Sequence, residues 1–168
     1  DAGAGTEQFA EMGFSSAING DGTTVIVGAP KDRGIIVDGG TAYVIVKNAG
    51  VWTQEQELQP DADGTNRQGD HFGWSVDISS DGDTAVVGAF FADCPVQFGS
   101  CGAVYVFVRS AGVWTQQAKV QQPAGDRQGD GPNDDGESDE FGYSVAISSD
   151  GLTVVVGARH DDDDGPNS

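Results

Sequence analysis

Apolar and small residues come in short bursts along this chain, and glycine cuts each burst. In residues 141–158, FGYSVAISSDGLTVVVGA, the stretch 144–148 alternates small and apolar side chains, Asp150 and Gly151 reverse the chain, and 153–158 runs on apolar. Alternation with period two marks a strand, and an Asp-Gly turn between two such runs closes a hairpin. Residues 85–89 and 103–108 are continuous apolar runs, the pattern of strands covered on both faces. Residues 113–120 are short and glutamine-rich, which suits an outer edge where water satisfies the unpaired backbone. The pattern predicts sheets of four antiparallel strands and no long helices.

These segments repeat. FGWSVDISSDGDTAVVGA at 72–89 returns as FGYSVAISSDGLTVVVGA at 141–158, and a looser copy, MGFSSAINGDGTTVIVGA, fills 12–29. A second block follows the first two copies: GTAYVIVKNAGVWTQEQEL at 40–58 and GAVYVFVRSAGVWTQQAKV at 102–120. A unit of about 60 to 70 residues, with a buried centre and a polar outer strand, reads as a propeller blade. The expected organisation is one blade over 1–60 with its first strand from about residue 12, a second over 61–120, and a linker plus the inner hairpin of a third over 121–168. A ring of this type takes about four to eight blades. The expectation is therefore an all-β array that forms an incomplete ring, as an excerpt, a cleavage product or a self-assembling unit.

Composition narrows the partners. The chain has 168 residues, 26 glycines and a formal charge of −19. So anionic a surface repels nucleic-acid backbones and anionic membranes, and favours cations and basic partners; plain solubility is the alternative use of the acid. No stretch has the roughly 20 consecutive apolar residues of a membrane-spanning helix. There is no initiator methionine and no leader-like segment before Asp1, as in a chain whose signal segment has been removed or in an excerpt. Cys94 and Cys101 enclose PVQFGS and read most simply as a local disulfide of an exported protein. A pair of free thiols or a metal pair remains open, the latter without a nearby histidine.

The order FGYSVAIS, VVVGA, GAVYVF resembles the FG-GAP repeat of integrin-alpha-type β-propellers, over nearly the whole chain. The resemblance implies an extracellular propeller used in adhesion and ligand recognition, with frequent calcium dependence. Two features depart from it. The calcium-binding members carry a D-x-D/N-x-D/N-G-x-x-D loop between the first two strands, whereas this chain has only SSDG at 148–151 or NGDG at 19–22. Met12 stands where the phenylalanine belongs, and GAP is intact only at 28–30.

In an up-and-down blade, the connections from strand two to three and from strand four to the next blade emerge on one rim. Here these are the long ones: 30–39, 60–71, 90–100, 121–140 and 159–168. They hold 17 of the 27 acidic side chains. Loops held by a rigid scaffold concentrate binding residues, so this rim is the candidate interaction surface. Oxygen-rich loops with a glycine suit Ca²⁺. Asp61, Asp63 and Asp70 around Gly64 form one candidate set; Asp130, Asp134 and Asp139, with Asn133, Asp135 and Glu137 around Gly136, form another. A solvated acidic loop is the alternative for both, and the run 161–164 reads as solvated.

Trp52 and Trp114 share the repeat position in GVWTQ, where packing against a blade is favoured over a sugar-stacking platform. Tyr43 and Tyr105 are expected in the core. His71 and His160, the two histidines, both adjoin aspartates; His71 is expected to cap a strand start and to favour its charged form. With no nucleophile elbow and no histidine pair at metal spacing, no enzymatic activity is expected. The expected function is an extracellular binding or adhesion module for a protein or glycan. The alternatives are a structural subunit of a fibre, coat or matrix, or a targeting propeller appended to a polysaccharide-active enzyme.

Overall fold

A computed structural model describes residues 11–32, 39–60, 69–93, 100–121 and 140–159. These form ten strands: β1 (Ser15–Ile18), β2 (Thr24–Ala29), β3 (Thr41–Asn48), β4 (Val51–Leu58), β5 (Ser75–Ile78), β6 (Thr84–Ala89), β7 (Ala103–Ser110), β8 (Val113–Gln121), β9 (Ser144–Ile147) and β10 (Val154–Gly157). They make two four-stranded sheets, β1-β2-β3-β4 and β5-β6-β7-β8, and the hairpin β9-β10; the pairings are antiparallel. The all-β blade architecture expected from the repeat is the one observed, as an open array.

Each sheet is ordered as the chain runs, so the fourth strand is an outer edge. Between the sheets, the inner strands β1, β5 and β9 are close neighbours, whereas the backbones of β4 and β8 are splayed and meet mainly through side chains. This is a fan, tight at the inner strands and open at the outer ones. The core lies between the first two sheets: Ile26, Val44, Val46 and Leu58 face Phe72, Val87, Tyr105 and Phe107. β6 is buried along almost its whole length, as its continuous apolar run predicts. β2 alternates buried and half-buried, because one of its faces has no sheet against it among the described residues.

The recurring glycines are the joints of the fan. Gly73, at φ +91, donates its N–H to Gly88 O within its own sheet (3.1 Å), and its carbonyl faces Gly28 of the preceding sheet. A Cβ on Gly28 would collide with that carbonyl, and one on Gly88 with the carbonyl of Gly142. The FG and GA glycines are thus the two halves of one backbone-to-backbone contact, repeated from sheet to sheet. Phe72 then seals the seam: it bridges in parallel to Gly40, is fully buried, and meets Tyr105 and Phe107 edge-on at 5.3 and 6.0 Å. Phe141 bridges Gly102 in the same way.

The β3–β4 and β7–β8 turns have two residues each, Ala49-Gly50 and Ala111-Gly112, all at positive φ. That is a type I′ turn, whose twist matches the strands it joins.

Candidate functional site: the rim of the long connections

The pairings Ser15↔Gly28, Ala29↔Thr41 and Ala42↔Leu58 bring the end of β2, the start of β3, the end of β4 and the start of β1 to one end of the first sheet. The second sheet repeats this with Ser75↔Gly88, Ala89↔Ala103 and Ala103↔Gln121. The bridges from Gly40 to Phe72 and from Gly102 to Phe141 place those ends side by side. The long connections therefore leave from one rim.

At this rim a tight turn precedes each inner strand. Glu11, His71 and Glu140 sit at φ 52, 56 and 55, and their carbonyls accept from the N–H groups of Phe14, Trp74 and Tyr143 (3.0, 3.1 and 2.9 Å). Non-glycine residues in the left-handed region cost about 1–2 kcal/mol each. The same unfavourable conformation held three times throws an aromatic residue onto the rim in each copy.

Those rings meet across the sheets. Phe14 and Trp74 have centroids 4.3 Å apart, and Trp74 and Tyr143 lie 5.6 Å apart. Phe90, from the end of β6, wedges between Trp74 (4.4 Å) and Tyr143 (5.7 Å), and Phe91 packs on Phe90 at 4.2 Å. His71 does more than cap a strand: its ring lies 5.4 Å from both Phe90 and Phe91. The tilted and edge-on geometries suit aromatic quadrupoles. The belt is not fully covered, since Phe14 is 47 % exposed and Phe91 36 %.

Ion pairs close both ends. At one, the Arg159 guanidinium lies 4.4 Å from the Tyr143 ring centroid and grips Glu140 with two bonds, Nε to Oε2 at 2.7 Å and Nη2 to Oε1 at 2.8 Å. The Glu140 hydrogen bonds raise the guanidinium above its ordinary range. At the other, Lys31 Nζ meets Glu11 Oε1 at 2.7 Å. Close by, Tyr43 donates to Asp32; partial burial first, then that hydrogen bond and charge, push the phenol well above its ordinary value. Tyr43 is half-buried, whereas Tyr105 is in the core as expected.

Of the candidate calcium ligands, Asp70 is described and is buried at the rim. Asp61, Asp63, Asp130, Asp134 and Asp139 lie outside the described residues, as do His160 and the run 161–164. Among the described residues no three His, Cys, Asp or Glu side chains cluster as a metal site. Cys94 also lies outside them; Cys101 is buried, its N–H bonded to Ala92 O at 2.9 Å. The sequence signal for the aromatic belt lies at the start of each repeat copy: Gly13, Gly73 and Gly142 are followed by Phe14, Trp74 and Tyr143. Away from the rim, splaying of β4 and β8 leaves a wedge of about 280 Å³, lined mainly by amide and aromatic side chains such as Gln56, Gln116 and Trp114.

Strands stacked as a fan around their inner edges define a β-propeller module. The FG-GAP repeat matches residues 52–107 and 131–168, more than half of the chain, and the chain belongs to that family. No curated protein matches it in sequence. Among solved structures, the periplasmic gluconolactonase of Pseudomonas aeruginosa is similar, with a TM-score of 0.52 and 19 % identity over 84 % of this chain and 35 % of that one. A putative 6-phosphogluconolactonase from Bacteroides fragilis aligns at a TM-score of 0.46 and 16 % identity, over 84 % of this chain and 30 % of that one. The chain thus spans about a third of the length of either. No helix among the described residues is long and apolar enough to cross a membrane.

The expectation that the chain is not an enzyme is corrected by this likeness, because a gluconolactonase shares the fold. The inference failed for a physical reason. A propeller site is assembled from loops of several blades on a common rim, so a scarcity of histidines or motifs within two or three blades does not exclude chemistry there.

Proposed function

We propose that this chain is the ligand-recognising part of an exported, extracellular FG-GAP propeller, and that its long-connection rim binds a protein or a glycan. The observation that carries the reading is the belt of Phe14, Trp74, Phe90 and Tyr143, built from all three sheets and partly open to solvent. Aromatic faces offer large apolar contact at little entropic cost, and the acidic connections that leave the same rim would add polar and cation-mediated contacts. Calcium bound by Asp61, Asp63 and Asp70, or by Asp130, Asp134 and Asp139, would order those connections and reduce their mutual repulsion. A Cys94–Cys101 bridge would pin the connection that follows Phe91 and suits an oxidising compartment.

The experiment is a screen of immobilised glycans and extracellular matrix proteins, with calcium and with chelator. A hit should weaken in Phe14→Ala and Phe91→Ala and persist in Asp21→Asn on the opposite rim. Binding lost only in the opposite-rim variant would sink the reading. Calcium that neither binds in calorimetry nor raises the melting temperature would remove the cation from it. Alkylation of Cys94 and Cys101 without prior reduction would remove the bridge.

A further inference from the structure

The outer strands of the first two sheets are joined by a clamp that the repeat pattern does not show. In β4, Val44 pairs with Gln56 and Ile45 with Gln54, so Glu55 is the extra residue of a bulge. A bulge bends its strand and re-aims the extra side chain. Glu55 reaches across to the second sheet: Oε1 meets Arg109 Nη2 at 2.5 Å, and Oε2 accepts from Trp114 Nε1 at 3.0 Å. Gln56 brackets the backbone of the same tryptophan, Nε2 donating to its carbonyl and Oε1 accepting from its N–H, both at 2.8 Å. Thus held, Trp114 is 3 % exposed.

The first sheet presents the same surface one repeat earlier. Trp52 aligns with Trp114, and Lys47, whose Nζ lies 5.6 Å from the Trp52 ring, aligns with Arg109. Trp52 is 42 % exposed. Tyr43 and Ile45, aligned with the buried Tyr105 and Phe107, are half-buried. Side chains alternate across a sheet, so this face is opposite the one bearing Ile26, Val44 and Leu58, which the second sheet covers. The chain thus displays how its own flank is capped: by an apolar sheet face whose bulged fourth strand carries a carboxylate followed by an amide.

We propose that the Trp52 flank is the docking face for a further complete blade of the same ring, one with a Glu–Gln pair or its equivalent at the fourth-strand bulge. A second copy of this chain fits less well. Its Glu55–Gln56 pair is already engaged by its own second sheet, and the bulge of β8 offers Gln117 and Ala118, with no carboxylate for Lys47 and no amide for the Trp52 backbone. Its β9–β10 hairpin brings Val155, 65 % exposed, to the position of Ile26, but no fourth strand among the described residues.

A copy of residues 1–60 joined ahead of Asp1 in the full chain recreates such a neighbour. The connection from Leu58 of the added copy to Met12 then equals in length that from Leu58 to Phe72. With Trp52→Phe in the added copy, hydroxyl-radical footprinting reads Trp52 of the original part. Its labelling should fall from that of a ring 42 % exposed toward that of one 3 % exposed. Glu55→Ala with Gln56→Ala in the added copy should restore it. Unchanged labelling of Trp52 while Trp114 stays protected overturns the proposal. So does protection of Trp52 in the unfused chain that disappears on dilution, which assigns the flank to a second copy. Independently of the fusion, Glu55→Ala with Gln56→Ala in the unfused chain must raise labelling of Trp114; if it does not, the clamp is not what covers the ring and the proposal falls.

Discussion

The two rims of the fan are built from the same repeats and have diverged in opposite ways. On the rim of short turns, the second and third copies agree bond by bond. Asp81 Oδ1 accepts from Ser79 Oγ (2.5 Å) and Asp83 N (3.0 Å), and Asp150 Oδ1 from Ser148 Oγ and Leu152 N at the same two distances. In the first copy Asn19 replaces the serine, and Asp21 accepts from Thr23. The turns also hold one another, Gly20 N donating to Ser80 O and Ser80 N to Ser149 O. On the rim of long connections, equivalent positions carry Glu11, His71 and Glu140, or Pro30, Phe90 and Arg159, on an unchanged backbone turn. One rim repeats because it holds the blades in register. The other varies, as the proposed recognition role of its side chains would require.

The largest effect is expected where both rims depend on the same joint. Gly88→Ala puts a Cβ into the Gly142 carbonyl and the Ser75 hydroxyl, neither of which can withdraw cheaply. Denaturant titration should show a loss of about 3 kcal/mol or more, at the top of the range for overpacking. A change of a few tenths would mean that the sheets are not packed at these glycines. Smaller is Ser79→Ala on the uniform rim, which removes the buried acceptor of Thr84 N–H and the donor to Asp81. It should lower stability by about 1–3 kcal/mol while leaving any ligand bound at the other rim in place.

Acid acts on the same turns. Hydrogen bonds from Thr23, Ser79 and Ser148, ahead of any other cause, lower the carboxyls of Asp21, Asp81 and Asp150 below the ordinary 3.8. A carboxyl lower in the folded than in the unfolded chain contributes stability that is present above the unfolded value and lost as pH falls through the folded one. Melting temperatures should therefore drop more steeply below about pH 3.8 in the parent chain than in Asp81→Asn; parallel curves would show that these turns do not carry the effect. The smallest change is a gain. Ala49 occupies a left-handed position at φ 48 before Gly50. Ala49→Asn, completing the Asn-Gly pair that I′ turns favour, should add about 0.5–1 kcal/mol in thermal unfolding, and no gain would argue against that turn.

The division between the rims also marks how far the chain could be read as a string of residues. Strands, hairpins and blade order follow from local alternation and Asp-Gly turns, and observed strand ends differ from the expected ones by only a residue or two, as at β10 and β8. Glu55 was not legible as a clamp, because a bulge arises from the twist of β3 against β4 and its aim depends on the neighbouring sheet. Nor was the gathering of Phe14, Trp74 and Tyr143: they are about 60 residues apart or more, and only the stacking of blades makes them neighbours. The unequal fates of Trp52 and Trp114, identical in local sequence, have the same origin.

Everything said of the variable rim rests on rings from three successive sheets touching one another. Nuclear Overhauser spectra of the full chain in solution test this directly. Cross-peaks should link the ring protons of Phe14 to Trp74, Trp74 to Phe90, and Phe90 to Tyr143. A spectrum in which Phe14 and Tyr143 each see only their own hairpins, with Trp74 connected to neither, would contradict the account.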